Sequence, residues 1–370
     1  AQTPRFQDFL VNFLTETLSK KTGAEIRIGK ASYTIFNKIV LNDVLFEDHN
    51  GDTLLAVRRL DLRLREFNPS GKVFRFGRAD LYEPDFRMIT DISGVMNLSR
   101  YIDAIRSIKA RDTTKRLEIS FTDIEVFNGS FTLINRDDTI GSRHGYVNFK
   151  DLRVSSINTK IRDLRVVSDS VSMDIRNMAF TESGGFNCKR LNMSTTVIGG
   201  GLAFRQVDIL TDSSSIVAEK IVLRPQGEAG WSDFVNKVRF DIVLEDSWLH
   251  SGDLAQFVWP LAGVTETVSL SGRVNGTVAE MKGRNINIGY AGSTRMGFDF
   301  DISGLPSVSD SYLHIVFHEM LTRAEDIEQI GLPGAKVIKL PVIVHDLGMI
   351  SYEGSFTGFT TDFVSFGTLT

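Results

Sequence analysis

Apolar and polar residues alternate one by one along most of the chain after Gly23. Because a β-strand points successive side chains to opposite faces, this alternation predicts strands with one apolar face and one polar face. The apolar residues of the clearest alternating segments are Leu60, Leu62 and Leu64; Val171, Met173 and Ile175; Phe240 and Ile242; Ile286 and Ile288; and Phe298 and Phe300. We therefore expect a mainly β protein.

Turn signals separate the alternating segments. Asn50-Gly51, Asn128-Gly129 and Asn275-Gly276 each lie between two such segments, and Asn-Gly is the strongest short-range signal for a β-hairpin. Strands joined by hairpins are antiparallel neighbours. The sequence predicts a long, curved antiparallel sheet rather than alternating strands and helices.

Helical periodicity is confined to short stretches. Residues 1–22 carry apolar side chains at helical spacing, with Pro4 in the first turn and Gly23 after the end, which predicts an N-terminal amphipathic helix. A second helix is expected from Asn97 to about Ile108, with Asn97 as its cap. Short helices are also expected at 253–257 and 322–330, the latter opened by a Thr322–Glu325 capping box. We expect these few helices to cover the sheet; the alternative for the N-terminal helix is to lie in a membrane interface.

A sheet with one apolar face must hide that face from water. Two solutions remain open: the sheet closes on itself as a barrel or sandwich filled by its own side chains, or it curves into a groove that holds an apolar ligand. In the second case the twelve apolar residues of the alternating segments line the groove. An apolar ligand would then lie along it through bulk burial, with little chemical specificity.

Charge and cysteine content narrow the functional classes. The 46 acidic and 42 basic residues are interspersed and give a net charge of -4, which provides no electrostatic basis for nucleic-acid binding. Cys188 is the single cysteine, so the chain has no internal disulfide, and we expect this side chain to be buried. The apolar stretches are shorter than the ~20 residues of a membrane-spanning helix.

Candidate catalytic and metal motifs are incomplete. His314 and His318 flank a strand-like segment and lack the order of a His-Glu-x-x-His site, while Gly199-Gly200-Gly201 is not followed by the Lys-Ser or Lys-Thr of a phosphate loop. The sequence also lacks the Gly-x-Ser-x-Gly elbow of a hydrolase. We expect a non-enzymatic protein without a metal site or cofactor.

Several segments resemble one known family. Residues 39–48 and 50–55, then 79–87 and the Gly94-Val95-Met96-Asn97-Leu98 element, resemble the opening unit of AsmA-like proteins. Downstream, residues 270–278, 285–290, 303–306, 340–341 and 352–359 are similar to TamB-type proteins of Bacteroidota. The chain thus resembles the TamB/AsmA-like family, the inner-membrane component of the translocation and assembly module.

The resemblance implies a fold, a function and a location. It implies a β-taco groove that conducts phospholipid acyl chains between the inner and outer membranes, in a periplasmic protein anchored in the inner membrane. It also implies an outer-membrane barrel partner of the TamA type. Because the anchor and the C-terminal partner-binding module are not recognisable, we interpret the chain as an N-terminal fragment. Its expected parts are the helix at 1–22, an AsmA-like opening β unit with a closing helix at 23–110, and a continuing, truncated β-groove at 111–370.

Two other functional classes stay open at this point. A β protein of this kind could act as a scaffold that offers strand edges to nascent outer-membrane proteins without carrying lipid. A surface adhesin or carbohydrate-binding β repeat is the third hypothesis. Bound lipid in the purified protein distinguishes a lipid-carrying groove from the scaffold and from the adhesin.

Overall fold

A computed structural model describes residues 19–34, 38–68, 73–99, 101, 118–136, 145–148, 150–167, 170–227, 230–231, 233–257, 267–307, 310–329, 339–359 and 362–370. These residues are mainly β, and their seventeen strands belong to one mixed sheet. The chain divides into two compact units, which we call unit 1 (Ala1–Thr196) and unit 2 (Val197–Thr370).

Unit 1 contains the longest strands. Its strands are β1 (Ile26–Thr34), β2 (Lys38–Glu47), β3 (Thr53–Asn68), β4 (Val73–Thr90), β5 (Glu118–Asn135), β6 (Asp151–Val167), β7 (Ser170–Glu182) and β8 (Asn187–Ile198), the last of which ends two residues into unit 2. Neighbours in sequence are neighbours in the sheet from β1 to β7.

One pair in unit 1 corrects the expectation of an antiparallel sheet. Strands β4 and β5 run parallel, with Ala79 opposite Ile124. A parallel neighbour requires the chain to cross back along the sheet, and residues 91–117 between the two strands are long enough for that crossover. Strand direction here depends on this long connection rather than on a two-residue hairpin turn.

The predicted Asn128-Gly129 hairpin is also wrong. Both residues lie inside β5, where Asn128 has a left-handed φ of 52°. Asparagine adopts this conformation more readily than most residues, so the same dipeptide suits a bulge within a strand as well as a turn. Asn50-Gly51 lies between β2 and β3, as predicted.

Unit 2 is antiparallel throughout its described strand pairs. Its strands are β9 (Gly201–Leu210), β10 (Ser215–Pro225), β11 (Val238–His250), β12 (Thr267–Gly276), β13 (Glu280–Tyr290), β14 (Thr294–Ser303), β15 (Tyr312–Arg323), β16 (Met349–Phe359) and β17 (Asp362–Leu369). Asn275-Gly276 ends β12 and leads directly into β13, as the turn signal predicted.

The described helices are short. They are α1 (Ser19–Thr22), α2 (Phe234–Lys237), α3 (Ser251–Ala255), α4 (Ala324–Gln329) and α5 (Val342–His345). The predicted amphipathic helix at 1–22 lies outside the described residues except for α1. Among the helices that the structure describes, none has the length and apolar character needed to cross a membrane.

Two predicted helix caps have other roles. Asn97 is buried, accepts a hydrogen bond from the Ile89 amide at 3.1 Å and donates one to the Arg87 carbonyl at 3.0 Å, so it fastens the helical turn after β4 to that strand. Residues 102–108 of the predicted helix lie outside the described part of the chain. Thr322 belongs to β15 and its hydroxyl contacts that of Thr294 at 2.8 Å, so the predicted capping box is wrong.

Candidate functional site

A continuous row of apolar side chains crosses unit 1 from β2 to β7. Each member lies directly opposite the next on the neighbouring strand, so all of them share one face of the sheet. We call this the unit 1 central row: Ile39, Leu62, Ala79, Ile124, Ile161 and Ile175. Five of the six, all except Ile161, are buried.

Two further rows flank the central row on the same face. Leu60 lies between Leu41 and Leu81 on one side. Leu64 lies opposite Phe76 on the other side, and the rings of Phe76 and Phe121 stack with centroids 4.6 Å apart. Leu60 and Leu64 are half-buried and pack against the buried cluster that contains Ile39 and Leu62. The centre of this apolar face is therefore filled by the side chains of unit 1 itself.

Unit 2 has an apolar face built on the same principle. A row of directly opposed residues runs from β9 to β16, and we call it the unit 2 central row: Phe204, Ile221, Ile242, Val274, Gly283, Phe300, Ile315 and Phe356. A second row, parallel to it, contains Leu223, Phe240, Met281, Ile302 and Leu313. Except for Gly283, which is buried, every side chain in these two rows is half-buried.

Gly283 interrupts the unit 2 central row for a steric reason. The ring of Phe300 lies over it, and a Cβ atom at residue 283 would stand 2.1 Å from Phe300 Cε1. No real Cβ makes so short a contact, so this position requires glycine while Phe300 keeps its place. Because residue 283 has no side chain, the ring of Phe300 on β14 also covers this position of β13.

The twelve residues predicted from alternation all lie in strands, and they fall into two groups. In unit 1, Leu62 and Ile175 belong to the central row, Leu60 and Leu64 flank it, and Val171 and Met173 alternate with polar residues on the same strand as Ile175. In unit 2, Ile242 and Phe300 belong to the central row and Phe240 to the second row. Ile286 lies opposite Phe298, and Ile288 lies between Leu270 and Met296.

Several residues of these faces were missed in the sequence. Ile315, Phe317 and Leu313 alternate in β15 and would have been found by the same criterion. The stacked pair of Phe76 and Phe121 could not have been found, because their contact depends on the parallel register of β4 and β5.

Left-handed residues recur inside the strands of unit 1. Asp43, Glu83, Asn128, Ser156 and Asn177 have φ between 51° and 55° and lie in β2, β4, β5, β6 and β7. A strand residue with positive φ marks a β-bulge, which bends the strand and increases its twist. The side chains of neighbouring strands support these points: the Asn128 amide donates to Asn158 Oδ1 at 3.1 Å, and the Asn177 amide donates to Asn192 Oδ1 at 2.7 Å.

Unit 2 has the same feature. Gln206 in β9, Gly272 in β12 and Asn285 in β13 have φ of 51°, 133° and 51°. The Asn285 amide donates to Asp299 Oδ1 at 2.7 Å on the neighbouring strand. Both units therefore have bulges at polar or glycine positions within several of their strands.

The opposite face of unit 1 carries ion pairs. Asp61, the buried residue between Leu60 and Leu62, accepts hydrogen bonds from Arg59 at 2.7 Å and 2.9 Å and contacts Lys38 Nζ at 2.9 Å. Burial raises the pKa of Asp61, and the hydrogen bonds from Arg59 and Lys38 outweigh it, so this pKa lies below its usual range. Arg78 bridges Asp80 and Glu125 at 2.7 and 2.6 Å in the same way. Ion pairs thus extend over several strands of this face, where Val40 also lies opposite Asp61.

Groups that could support catalysis or metal binding are sparse in the described structure. Burial raises the pKa of the Cys188 thiol to about 11, as expected for an unreactive core side chain. Within the described ranges, no three His, Cys, Asp or Glu side chains are placed to hold a metal ion. His314 contacts Thr357 Oγ1 at 2.8 Å and His318 lies 3.5 Å from Asp299, each as part of cross-strand polar contacts.

Comparison of the chain with protein-family models, with curated proteins and with solved structures gives no match. The TamB/AsmA-like resemblance stays a prediction from the sequence.

Proposed function

We propose that this chain binds phospholipid acyl chains along its apolar strand faces, as a segment of a periplasmic lipid-bridge protein that is anchored in the inner membrane. The observation that carries the proposal is the unit 2 central row, whose apolar side chains run across eight consecutive strands and remain half-buried. An apolar face of this extent is stabilised when an apolar partner removes it from water.

The bulges support a groove rather than a flat surface. Bulged strands bend, and bulges repeated on several strands of one sheet are the standard device for sheet curvature. Asp43, Glu83 and Asn128 supply such points in unit 1, and Gln206 and Asn285 supply them in unit 2. In the proposed groove the acyl chain lies on the apolar side and the polar headgroup remains in water.

The energetics favour lipids as a class over any one lipid. Each buried methylene contributes about 0.8 kcal/mol, so an acyl chain gains several kcal/mol whatever headgroup it carries. The described apolar rows contain no charged side chain that would select a headgroup. Transfer between membranes and a barrel partner of the TamA type belong to the same proposal and rest on the sequence resemblance.

The test is native mass spectrometry with lipid extraction, performed on wild-type protein and on two variants of β11. Phe240→Asp places a charge on the apolar face, and Val243→Asp is the matched control on the opposite face, where Lys220 and Arg273 are its cross-strand partners. We expect phospholipid bound to the wild type and to Val243→Asp, and much less bound to Phe240→Asp.

The possible outcomes separate the functional classes. Wild-type protein that is folded, soluble and free of lipid contradicts the proposal and favours the assembly scaffold. Circular dichroism of both variants checks the fold. If Phe240→Asp unfolds the protein, Phe240 is part of a self-filled core, and the groove does not extend to that position.

A further inference from the structure

Two arginines face each other across the hairpin-side ends of β10 and β11. Arg224 lies directly opposite Arg239, one position before the pair Pro225–Val238 that closes the strands. Both side chains are exposed. Like charges directly opposite on antiparallel strands repel each other, so this arrangement costs stability unless an anion neutralises it.

Comparison with other opposed cations shows what is unusual here. Arg273 and Arg284 are also directly opposite, but Arg273 pairs with Asp241 at 2.9 Å and Arg284 pairs with Asp301 at 2.7 Å. Among the residues that the structure describes, no carboxylate lies within ion-pair distance of Arg224 or Arg239. The protein supplies an anion to one pair and leaves the other without one.

The two arginines border a pocket on the polar face of unit 2. Its volume is about 300 Å³, and its lining includes Val222, Arg224, Arg239, Asp241, Arg273 and Asn275. Asp241 is engaged by Lys220 at 2.5 Å and by Arg273. The hydrogen bonds from Lys220 and Arg273 hold the pKa of Asp241 below its usual range against the opposing effect of burial, so this carboxylate is ionised and already paired.

The chemistry of the pocket favours a phosphate group. The lining holds three guanidinium groups against one carboxylate, and guanidinium presents paired N–H donors that match two phosphate oxygens. Asn275 lies across from Asp241 on β12 and can donate a further hydrogen bond. A pocket of this size also has room for more than the phosphate alone.

We propose that Arg224 and Arg239, together with Arg273 and Asn275, form a binding site for a phosphate group on the polar face of unit 2. The phosphate belongs either to a free phosphate compound or to a phospholipid headgroup. The four polar side chains lie on the face opposite Ile242, and Phe240 also borders the pocket. The proposed site uses charge rather than apolar burial, so it does not require acyl-chain binding.

The test compares wild type with the double variant Arg224→Gln/Arg239→Gln. The matched control is Arg63→Gln/Arg65→Gln, which removes two exposed arginines of β3. Inorganic phosphate is titrated by calorimetry at constant ionic strength, and vesicles of phosphatidylglycerol or of phosphatidylcholine are used in a flotation assay. We expect wild type and control to bind the phosphate probe, and we expect the double variant to bind about tenfold more weakly or not at all.

A thermal measurement adds a signature that a purely structural role would not give. Phosphate at matched ionic strength should raise the melting temperature of wild type and control but not of the double variant. Without phosphate the double variant should melt at the same temperature as wild type or above it, because a repulsive pair has been removed.

The results identify the source or overturn the site. Binding of inorganic phosphate indicates a free phosphate compound, whereas binding to phosphatidylglycerol vesicles alone, lost in the double variant, indicates a headgroup. Absence of binding to every probe overturns the site, and so does an equal loss in the Arg63→Gln/Arg65→Gln control.

Discussion

Units 1 and 2 have the same alternating pattern but different apolar faces. In unit 1 every member of the central row except Ile161 is buried, and four of them belong to the buried cluster that also includes Leu41 and Val57. In unit 2 every member of the corresponding row except Gly283 is half-buried. Among the described residues, unit 1 exposes three large apolar side chains and unit 2 exposes fifteen, so the uncovered apolar surface is concentrated in unit 2.

The difference shows what alternation can and cannot predict. Alternation determines which side chains share a face, because strand geometry has a period of two. It does not determine whether other side chains cover that face. For this reason the lipid-binding proposal rests mainly on unit 2, while unit 1 supplies a filled core.

The largest expected effect is the loss of a core side chain in unit 1. Ile39→Ala should lower the free energy of unfolding by about 2–5 kcal/mol, because Ile39 is 2 % exposed and the cavity would be enclosed. Ile315→Ala in unit 2 should cost about 1–2 kcal/mol, since Ile315 is half-buried. Urea unfolding of both variants measures the contrast, and equal losses would show that the two faces are packed alike.

Removing the buried carboxylate of the polar face should have the next largest effect. Asp61→Asn should cost about 1–3 kcal/mol, because Arg59 and Lys38 lose their charged acceptor. The folded-state pKa of Asp61 is lowered, so its contribution is present above the pKa of the unfolded carboxyl group and is lost as the pH falls through the folded-state value.

The pH dependence provides the check on this prediction. The difference in unfolding free energy between wild type and Asp61→Asn should be full above about pH 5 and should shrink toward acid pH. A difference that stays constant down to acid pH would mean that the ion pairs of Asp61 do not stabilise unit 1.

Filling the gap in the unit 2 central row should have a somewhat smaller effect. Gly283→Ala should cost about 1–3 kcal/mol, because the new methyl group displaces the Phe300 ring. Gly297→Ala on β14 is the control, since its Cβ would lie 3.4 Å from the nearest atom, Asn287 Oδ1. Thermal unfolding compares the two variants. Equal stability would show that the Phe300 ring does not need to lie over residue 283.

The smallest expected effect is local and concerns α4 and α5 in unit 2. His345 lies 3.4 Å from Glu325 and 3.2 Å from Glu328, and the hydrogen bonds to these carboxylates raise its pKa. The stabilising interaction of His345 with the two glutamates is therefore fully present below the pKa of an unfolded histidine. It is lost as the pH rises through the raised folded-state pKa. Hydrogen exchange in α5, corrected for intrinsic rates, should show protection falling with rising pH in wild type but not in His345→Gln. The same pH dependence in wild type and in His345→Gln would show that His345 does not connect α5 to α4.

The sequence predicted the fold class, and which residues share a face of the sheet, better than it predicted how consecutive strands are connected. The β class and the shared faces of Leu60, Leu62 and Leu64 follow from local alternation. The parallel pairing of β4 and β5 and the burial of Asn97 depend on residues distant in sequence, which local periodicity does not report. The hairpin prediction at Asn128-Gly129 is wrong because turns and bulges favour the same residues.

The candidate sites were predictable to different degrees. The twelve alternating residues could be assigned to a face, but alternation did not indicate how far each would be buried. The opposition of Arg224 and Arg239 depends on the register of the β10–β11 pair, so no local motif marks it.

The most direct test of the central claim places a photoactivatable benzoylphenylalanine at Ile242 or at Val243 in cells. These neighbours are both half-buried aliphatic residues of β11, and they point to opposite faces. We predict that phospholipid is crosslinked at position 242 and that little or none is crosslinked at position 243. Equal crosslinking at both positions, or none at position 242, would contradict the claim that the apolar face of unit 2 holds lipid.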